Sequence, residues 1–223
     1  MGRLFVIEGV DGSGKATQSA RLKERLIAEN KNPLCLTFPD YESDSSVIVK
    51  KYLAGDFGKN AKDVTPKIAS TFFAVDRYVS FKTKWEKAYN DGEIIIADRY
   101  TTSNMIHQAA KLDTIKEKDE FLDWLEDYEY NLYSLPRPDL TIFLDVPEEM
   151  GLELTKNRAN KITGKEALDI HESDRAYIKK SYENALFVAK KYNWKIINCV
   201  KDGKMRSIED IHEEIFSYVK KLL

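Results

Sequence analysis

The segment GVDGSGK at residues 9–15 limits the possible folds of this chain more than any other part of its sequence. It follows the apolar stretch LFVIE and precedes a segment with helical periodicity. Glycines at such a junction let backbone N–H groups turn inward around phosphate oxygens, and the helix N-terminus adds partial positive charge. The pattern G-x-x-x-x-G-K-S/T is complete except at Ala16, which lacks the hydroxyl that would contact a magnesium ion. The sequence therefore predicts a phosphate-binding loop rather than a glycine-rich turn without a ligand.

The rest of the chain alternates short apolar runs with longer amphipathic segments, which is typical of a doubly wound α/β fold. The runs predict strands at residues 4–8, 33–38, 93–98, 140–146 and 194–200. Four of them are nearly continuous in Val, Ile, Leu or Phe, as strands buried on both faces are. We therefore expect a five-stranded parallel sheet flanked by helices, in one domain of 223 residues.

Two of the predicted helices have clear boundaries. Thr65 followed by Pro66 is an N-terminal signal, and that helix is expected to run to about Asn90, before Gly92. The last helix is expected to begin at Ser207. An apolar stripe at helical spacing along it favours core packing over a partner site, and comprises Ile208, Ile211, Ile215 and Val219.

Composition excludes several classes of protein. A net charge of −2 gives no overall attraction to nucleic acid or to anionic lipid. No apolar run approaches the length of a membrane span, and no signal peptide precedes the first strand, so a cytoplasmic protein is expected. Cys35 and Cys199 lie in apolar runs, and this favours two buried thiols in a reducing compartment over a disulfide or a metal site.

Two charged residues follow the strand predicted at residues 93–98. Asp98 and Arg99 fall at its carboxyl end, the edge of a doubly wound sheet at which ligands bind. Asp98 is suited to holding Mg²⁺, directly or through water, and Arg99 to gripping a phosphate as a fork. The alternative is a surface Asp–Arg pair that caps a helix. Asp11 has two possible roles as well: it caps the turn of the loop, or it accepts a hydrogen bond from a hydroxyl of a second substrate.

Phe73 and Arg77 are four residues apart on a predicted helix and share one face. A ring that stacks on a nucleobase and a guanidinium that donates to its edge need this geometry; the alternative is a core phenylalanine beside an arginine that extends to solvent. The segment KNRANKITGK at residues 156–165 contains four cations and no carboxylate. It is either a solvated face or a lid that closes over phosphates.

Together these residues resemble the thymidylate kinase family, P-loop enzymes that phosphorylate dTMP with ATP. The resemblance covers nearly the whole chain, through EGVDGSGK, Phe38 with Pro39, FFAVDR, DRYTTS with Gln108, RPDLTIFLDV and DIHE. The DRY-x-x-S segment and the Phe-x-x-x-Arg spacing are specific within P-loop proteins, whereas the loop alone is not. The resemblance implies one P-loop kinase domain over residues 1–223, a lid at about residues 156–170, a role in dTTP biosynthesis, Mg²⁺ as cofactor and a homodimer.

The resemblance also implies roles for particular residues. The implied ATP ligands are Gly9, Asp11, Gly12, Ser13, Gly14, Lys15, Ala16, Thr17 and Arg158. The implied dTMP ligands are Asp11 at the 3′-hydroxyl, Phe73 and Arg77 at the base, Arg99 at the phosphate, and Pro39, Ser103 and Gln108. Catalytic roles are implied for Lys15, Asp98, Arg99 and Arg158, with Asp98 at the metal. Asp169 and Glu172 match acidic positions that border the deoxyribose site.

The chain departs from the family pattern at three positions. Gly12 stands where one branch has an arginine that acts on the phosphates, so the basic segment 156–165 is expected to supply that charge. Tyr41 stands where some relatives have an arginine, so acceptor-phosphate binding should depend more on Arg99. Ala16 is the third departure. Three hypotheses follow: an active dTMP kinase, a nucleotide-binding protein without turnover, and a kinase for another nucleoside monophosphate or a nucleoside.

Overall fold

The computed structural model describes residues 1–155 and 174–223 of the chain. Its main sheet has five parallel strands in the order β2-β3-β1-β4-β5, so β1 lies at the centre. The strands are β1 Arg3–Gly9, β2 Leu34–Thr37, β3 Ile94–Asp98, β4 Leu140–Asp145 and β5 Lys195–Asn198. The predicted five-stranded parallel sheet is therefore confirmed.

Helices cover both faces of the sheet. In chain order they are α1 Lys15–Ala28, α2 Val47–Leu53, α3 Pro66–Ser80, α4 Glu86–Asn90, α5 Thr101–His107, α6 Ile115–Glu126, α7 Glu148–Thr155, α8 Arg175–Lys191 and α9 Ile208–Val219. Two π-helical segments, Phe81–Trp85 and Asp127–Leu132, extend α3 and α6. None of the helices described is both long and apolar enough to cross a bilayer.

Alternation along the central strand divides the core into two layers. Leu4 and Val6 face the cluster formed with the π-helical segment after α3, with α5 and with α6. Phe5 and Ile7 face the opposite cluster, formed with α1 and α9. All four side chains have no solvent-exposed surface, as expected for a central strand covered on both faces.

The predicted end of the fifth strand was wrong. The prediction placed residues 194–200 in one strand, but β5 ends at Asn198, whose side-chain oxygen accepts a hydrogen bond from the N–H of Val200 at 3.0 Å. Val200 instead begins a short antiparallel hairpin of β6 Val200–Lys201 and β7 Lys204–Met205. A side chain that bonds its own backbone two residues ahead turns the chain, and apolarity alone does not reveal this.

The two helices with predicted boundaries begin where expected. The segment after Thr65 is helical to Asn90, although the π-helical segment interrupts its α-helical pattern. The hydroxyl of Ser207 accepts a hydrogen bond from the N–H of Asp210 and caps α9. The apolar stripe of α9 is buried except at Ile208, which is 52% exposed, so that part of the prediction was wrong. Ile208 lies in the first turn, at the rim of the core.

Both cysteines are free thiols, as predicted. Cys199 is buried, but Cys35 is only half-buried, because it lies on β2 at the edge of the sheet. Burial raises the pKa of both thiols, that of Cys199 to about 12, so neither is activated as a nucleophile at neutral pH.

Candidate active site

The phosphate loop connects the end of β1 to the start of α1, at the carboxyl edge of the sheet. Gly14 precedes α1 with a φ of 90°, a left-handed conformation that glycine adopts without steric cost. The hydroxyl of Ser13 is buried, and no group of the described residues hydrogen-bonds to it. A buried polar atom without a partner in this loop fits a site that receives phosphate oxygens.

Lys15 is folded back onto the loop. Its ammonium group donates to the carbonyl oxygens of Gly9 and Val10, both at 2.9 Å, and lies 3.8 Å from the carboxylate of Asp11. Burial and the nearby charge of Arg99 lower the pKa of Lys15 to about 8, although neighbouring carboxylates oppose the shift. Added negative charge beside this ammonium would therefore stabilise its protonated form.

Arg99 joins the end of β3 to the phosphate loop. Its φ of 69° turns the chain at the sheet edge, and its guanidinium Nη2 donates to the Asp11 carboxylate at 2.5 Å. Burial acts to lower the pKa of Arg99, but Asp11 and other carboxylates raise it overall, so the side chain remains charged. The two residues that the sequence placed on the acceptor side therefore contact each other beside Lys15.

His107 and Ser103 position the other arm of Arg99. Nη1 lies 3.2 Å from His107 Nε2 and 3.5 Å from the hydroxyl of Ser103. Burial, followed by the charge of Arg99, lowers the pKa of His107 to about 3. A neutral imidazole can accept the hydrogen bond from the guanidinium at Nε2. The fork of Arg99 is thus oriented from two directions.

Glu8 is a site residue that the sequence reasoning missed. It is fully buried at the end of β1 and accepts hydrogen bonds from the hydroxyls of Thr102, at 2.6 Å, and Ser103, at 2.8 Å. Burial raises its pKa, while Arg99 and these hydroxyls act to lower it. The sequence does contain one signal for this residue, because a carboxylate at the end of an otherwise apolar strand is unusual unless it has buried partners. Ser103, predicted to bind dTMP, donates its hydroxyl to Glu8.

Asp98 lies at the carboxyl end of β3, with its side chain buried, and its carboxylate acts electrostatically on both Lys15 and Arg99. Ala16 and Thr17, in the first turn of α1, are both exposed. Within residues 1–155 and 174–223, no cluster of three or more His, Cys, Asp or Glu side chains is arranged to hold a metal ion. A buried carboxylate at this edge of the sheet has the oxygen donors that Mg²⁺ prefers, and the assignment of Asp98 to the metal stays a prediction.

The residues predicted to bind the base lie on α3 and directly after α5. Phe73 is half-buried, and its ring packs edge-on against Tyr52, with 6.0 Å between the ring centroids. Arg77 is 2% exposed and is paired with Glu129, so it does not extend to solvent. Gln108 is buried, and within the described part of the chain nothing hydrogen-bonds to its Oε1. Among the residues predicted to contact the base, Gln108 thus has an amide oxygen without a described partner, and Arg77 has a partner in Glu129.

The loop after β2, which contains Pro39, is fixed to α3. The bond between Phe38 and Pro39 is cis, and Pro39 is half-buried. The carboxylate of Asp76 on α3 accepts hydrogen bonds from the N–H of Asp40, at 2.8 Å, and from the hydroxyl of Ser45, at 2.6 Å. Asp76, which FFAVDR contains but the sequence reasoning left unassigned, thus fixes this loop to the helix that carries Phe73 and Arg77.

Arg158, Asp169, Glu172 and the predicted lid lie outside the described residues. Gly12 lies in the loop between β1 and α1 with a φ of 81°. A cavity of about 350 Å³ lies elsewhere, at the amino ends of β4 and β5, and its lining includes Tyr130, Tyr192 and Trp194. We place the site at the opposite edge, where Lys15, Arg99 and the phosphate loop meet, because the cationic side chains converge there.

Comparisons with known proteins give matches that are consistent with one another. A family model described as thymidylate kinase matches residues 7–215. The probable thymidylate kinase of Metallosphaera sedula is 33% identical over 196 residues, which cover 87% of this chain and 83% of the relative. The thymidylate kinase of Schizosaccharomyces pombe is 29% identical over 221 residues, which cover 98% of this chain and 91% of the relative.

The fold is also similar to a solved structure. Thymidylate kinase from Candida albicans superposes with a TM-score of 0.73, covering 99% of this chain and 92% of that chain, at 23% sequence identity. This likeness confirms the predicted P-loop type of the doubly wound fold.

Proposed function

Because this chain belongs to the thymidylate kinase family, we propose that it transfers the γ-phosphoryl group of ATP to dTMP, giving dTDP and ADP. Among the described residues, one contact supports this proposal most directly. The guanidinium of Arg99 lies 2.5 Å from Asp11 of the phosphate loop, next to Lys15. A cation suited to the acceptor phosphate therefore stands directly beside the loop suited to the donor phosphates.

The donor half of the site is built from the loop and Lys15. Backbone N–H groups of residues 9–15 and the N-terminus of α1 receive the ATP phosphates, and the Lys15 ammonium exchanges its carbonyl partners for phosphate oxygens. Mg²⁺, when bound with ATP, neutralises charge on the β- and γ-phosphates. Asp98 is the carboxylate that would hold it, with the remaining oxygens from phosphates and water.

The acceptor half binds dTMP between α3 and the end of β3. Phe73 offers a stacking face for the base, and Arg77 with Gln108 lies at its edge. Asp11 accepts a hydrogen bond from the 3′-hydroxyl, and Arg99 donates to the phosphate. The hydrogen bond between Asp11 and Arg99 is therefore replaced by contacts to dTMP when dTMP binds. Pro39 closes the pocket from the loop that Asp76 fixes.

The reaction needs positioning and charge more than proton transfer. An oxygen of the dTMP phosphate forms a bond to the γ-phosphorus as the bond to the bridging oxygen breaks, and ADP leaves. The acceptor phosphate is largely a dianion at neutral pH, so no general base is required. Lys15 and Arg99 hold the two reacting phosphates, and we assign Arg158 and the lid at about residues 156–170 the additional cationic charge.

We further propose that the protein is a cytoplasmic homodimer. The free thiols suit a reducing compartment. The exposed apolar residues Ile68, Val75 and Tyr78 lie on one face of α3, which supports contact with a second copy.

A coupled assay of ADP release tests the function. We expect the highest kcat/KM with dTMP among dTMP, dUMP, dCMP, CMP, AMP and thymidine, with ATP and Mg²⁺ present. A larger kcat/KM for CMP or AMP would contradict the acceptor assignment. ADP release that no acceptor stimulates would contradict the kinase itself.

A further inference from the structure

We propose that Glu129 orients Arg77 so that the base pocket selects thymine over cytosine. The proposal rests on the function proposed above and adds a residue that no motif in the sequence points to. Glu129 lies in the π-helical segment after α6 and does not itself reach the base; it acts through Arg77.

The contact between the two side chains is bidentate. Nε of Arg77 donates to Glu129 Oε2 at 2.6 Å, and Nη2 donates to Oε1 at 2.5 Å. The side chains are 2% and 0% exposed. Two parallel hydrogen bonds fix the plane of a guanidinium as well as its position. This arrangement leaves Nη1 to donate to another group.

Glu129 is itself held from α5. The hydroxyl of Thr101 donates to Oε2 at 2.9 Å, and the side-chain amide of Asn104 donates to Oε1 at 3.0 Å. The same amide nitrogen lies 3.2 Å from the carbonyl oxygen of Ser70 on α3. Both helices that form the pocket are thus connected through this one carboxylate.

Stability alone is a poor reason for such a network. Two buried charges lose their hydration, and well-packed apolar side chains often replace a buried ion pair without loss of stability. A network with four hydrogen bonds to one carboxylate does, however, restrict its arginine partner to one orientation. We therefore interpret the pair as a device for orientation.

The chemistry of the base edge then explains the selectivity. A guanidinium only donates hydrogen bonds; thymine presents the acceptor O4, and cytosine presents the amino group N4 at the same place. The amide of Gln108 can rotate and match either base, because it both donates and accepts. Arg77 has no such freedom, so discrimination depends on the orientation that Glu129 imposes.

The test compares dTMP with dCMP in the Glu129→Gln enzyme. We expect the KM for dTMP to rise about tenfold or more, and the ratio of kcat/KM for dTMP over dCMP to fall about tenfold or more. The KM for ATP should stay within about twofold. A loss of correctly folded enzyme lowers both kcat/KM values equally and leaves their ratio unchanged, so the ratio separates orientation from stability.

Two more variants complete the experiment. Glu126→Gln changes a carboxylate three residues earlier that pairs with the exposed Arg137. It should alter neither the KM for dTMP nor the ratio of kcat/KM for dTMP over dCMP. Thr101→Val removes one donor to Glu129 but keeps both charges. It should also lower the ratio of kcat/KM for dTMP over dCMP, by a smaller factor than Glu129→Gln does. If Glu129→Gln does not fold, Thr101→Val decides, and an unchanged ratio overturns the proposal.

Wild-type kinetics separate this inference from the function on which it rests. A wild-type enzyme without preference for dTMP over dCMP overturns both. A clear wild-type preference that persists in Glu129→Gln and Thr101→Val overturns only the role of Glu129.

Discussion

At the scale of single residues, Ala16 poses the sharpest question about catalysis. The side chain is exposed in the first turn of α1 and has no hydroxyl for a metal. Mg²⁺ demands six oxygen ligands but readily keeps several as water. A methyl group leaves room for such a water, and Asp98 remains as a carboxylate at the sheet edge. We therefore expect Ala16 to weaken metal binding without removing turnover.

The Ala16→Ser substitution tests that interpretation. We expect the Mg²⁺ concentration that gives the half-maximal rate to fall several-fold, with kcat changed by less than about threefold, because one neutral ligand replaces a water. Steady-state kinetics over a Mg²⁺ titration measure both quantities. Thr17→Ala removes the neighbouring hydroxyl, and an unchanged Mg²⁺ dependence in this variant would exclude Thr17 as the ligand that replaces the missing one. A wild-type chain that is inactive at every Mg²⁺ concentration, and that Ala16→Ser activates, would support a binder without turnover.

Arg99 is the residue on which we expect the binding of the acceptor phosphate to depend most. Arg99→Ala should lower kcat/KM for dTMP by about 10²–10³, the scale of about 3–4 kcal/mol of transition-state stabilisation. Arg99→Lys keeps a charge but loses the fork that contacts Asp11 and His107, so it should recover only part of the loss. Steady-state kinetics with the exposed Arg137→Ala as control make the comparison. Equal activity of Arg99→Ala and wild type would assign the phosphate to another cation.

At the scale of elements, the sequence predicted those features that local pattern determines. The strand before the phosphate loop, the start of α3 after Thr65 and the cap of α9 at Ser207 were predicted because neighbouring residues determine them. The shared helix face of Phe73 and Arg77 was likewise predictable from their spacing. Periodicity carries information over one or two turns of helix.

Features that depend on distant residues were not predictable. Arg77 is paired with a carboxylate 52 positions later in the chain, which no local pattern reveals. The π-helical segment Phe81–Trp85 is a second example, since it places Trp85 in the core against Phe81, with ring centroids 4.6 Å apart. The buried role of Glu8 is a third, because its partners follow a different strand. Tertiary contacts decide each of these features.

Helix α7 offers an element-scale prediction about the phosphate loop. A Cβ atom at Gly151 would lie 2.7 Å from the carbonyl oxygen of Asp11, so the helix approaches the loop backbone more closely than alanine allows. Gly151→Ala should therefore displace the loop and raise the KM for ATP several-fold, although alanine favours a helix by up to about 1 kcal/mol. Kinetics with varied ATP measure the effect. Leu154→Ala, an exposed position on the same helix, is the control and should leave this KM unchanged.

At the scale of the whole molecule, Lys111 connects the segment after α5 to α2 and to the residues that precede α3. It follows α5, and its buried ammonium donates to the hydroxyl of Tyr52 on α2 at 2.9 Å and to the carbonyl oxygen of Val64 at 3.1 Å. Both acceptors are neutral, so within the described residues the charge is solvated by these dipoles and by the ring of Tyr52. Burial accordingly lowers the pKa of Lys111 to about 7.

The lowered pKa makes the stability of the fold depend on pH. Between pH of about 7 and about 10.5, the unfolded chain holds a proton on Lys111 that the folded chain has released, so the free energy of unfolding rises with pH by up to about 1.4 kcal/mol per unit from this group. The stabilisation is complete above the unfolded pKa and is lost as pH falls towards 7.

Lys111→Met removes the titrating group, so the difference in unfolding free energy between wild type and Lys111→Met should increase from pH 7 to pH 9.5. Urea unfolding at several pH values measures it. Tyr52→Phe, which keeps the buried ammonium, should show the same slope relative to Lys111→Met, and a difference that stays constant across this range would contradict a neutral buried lysine.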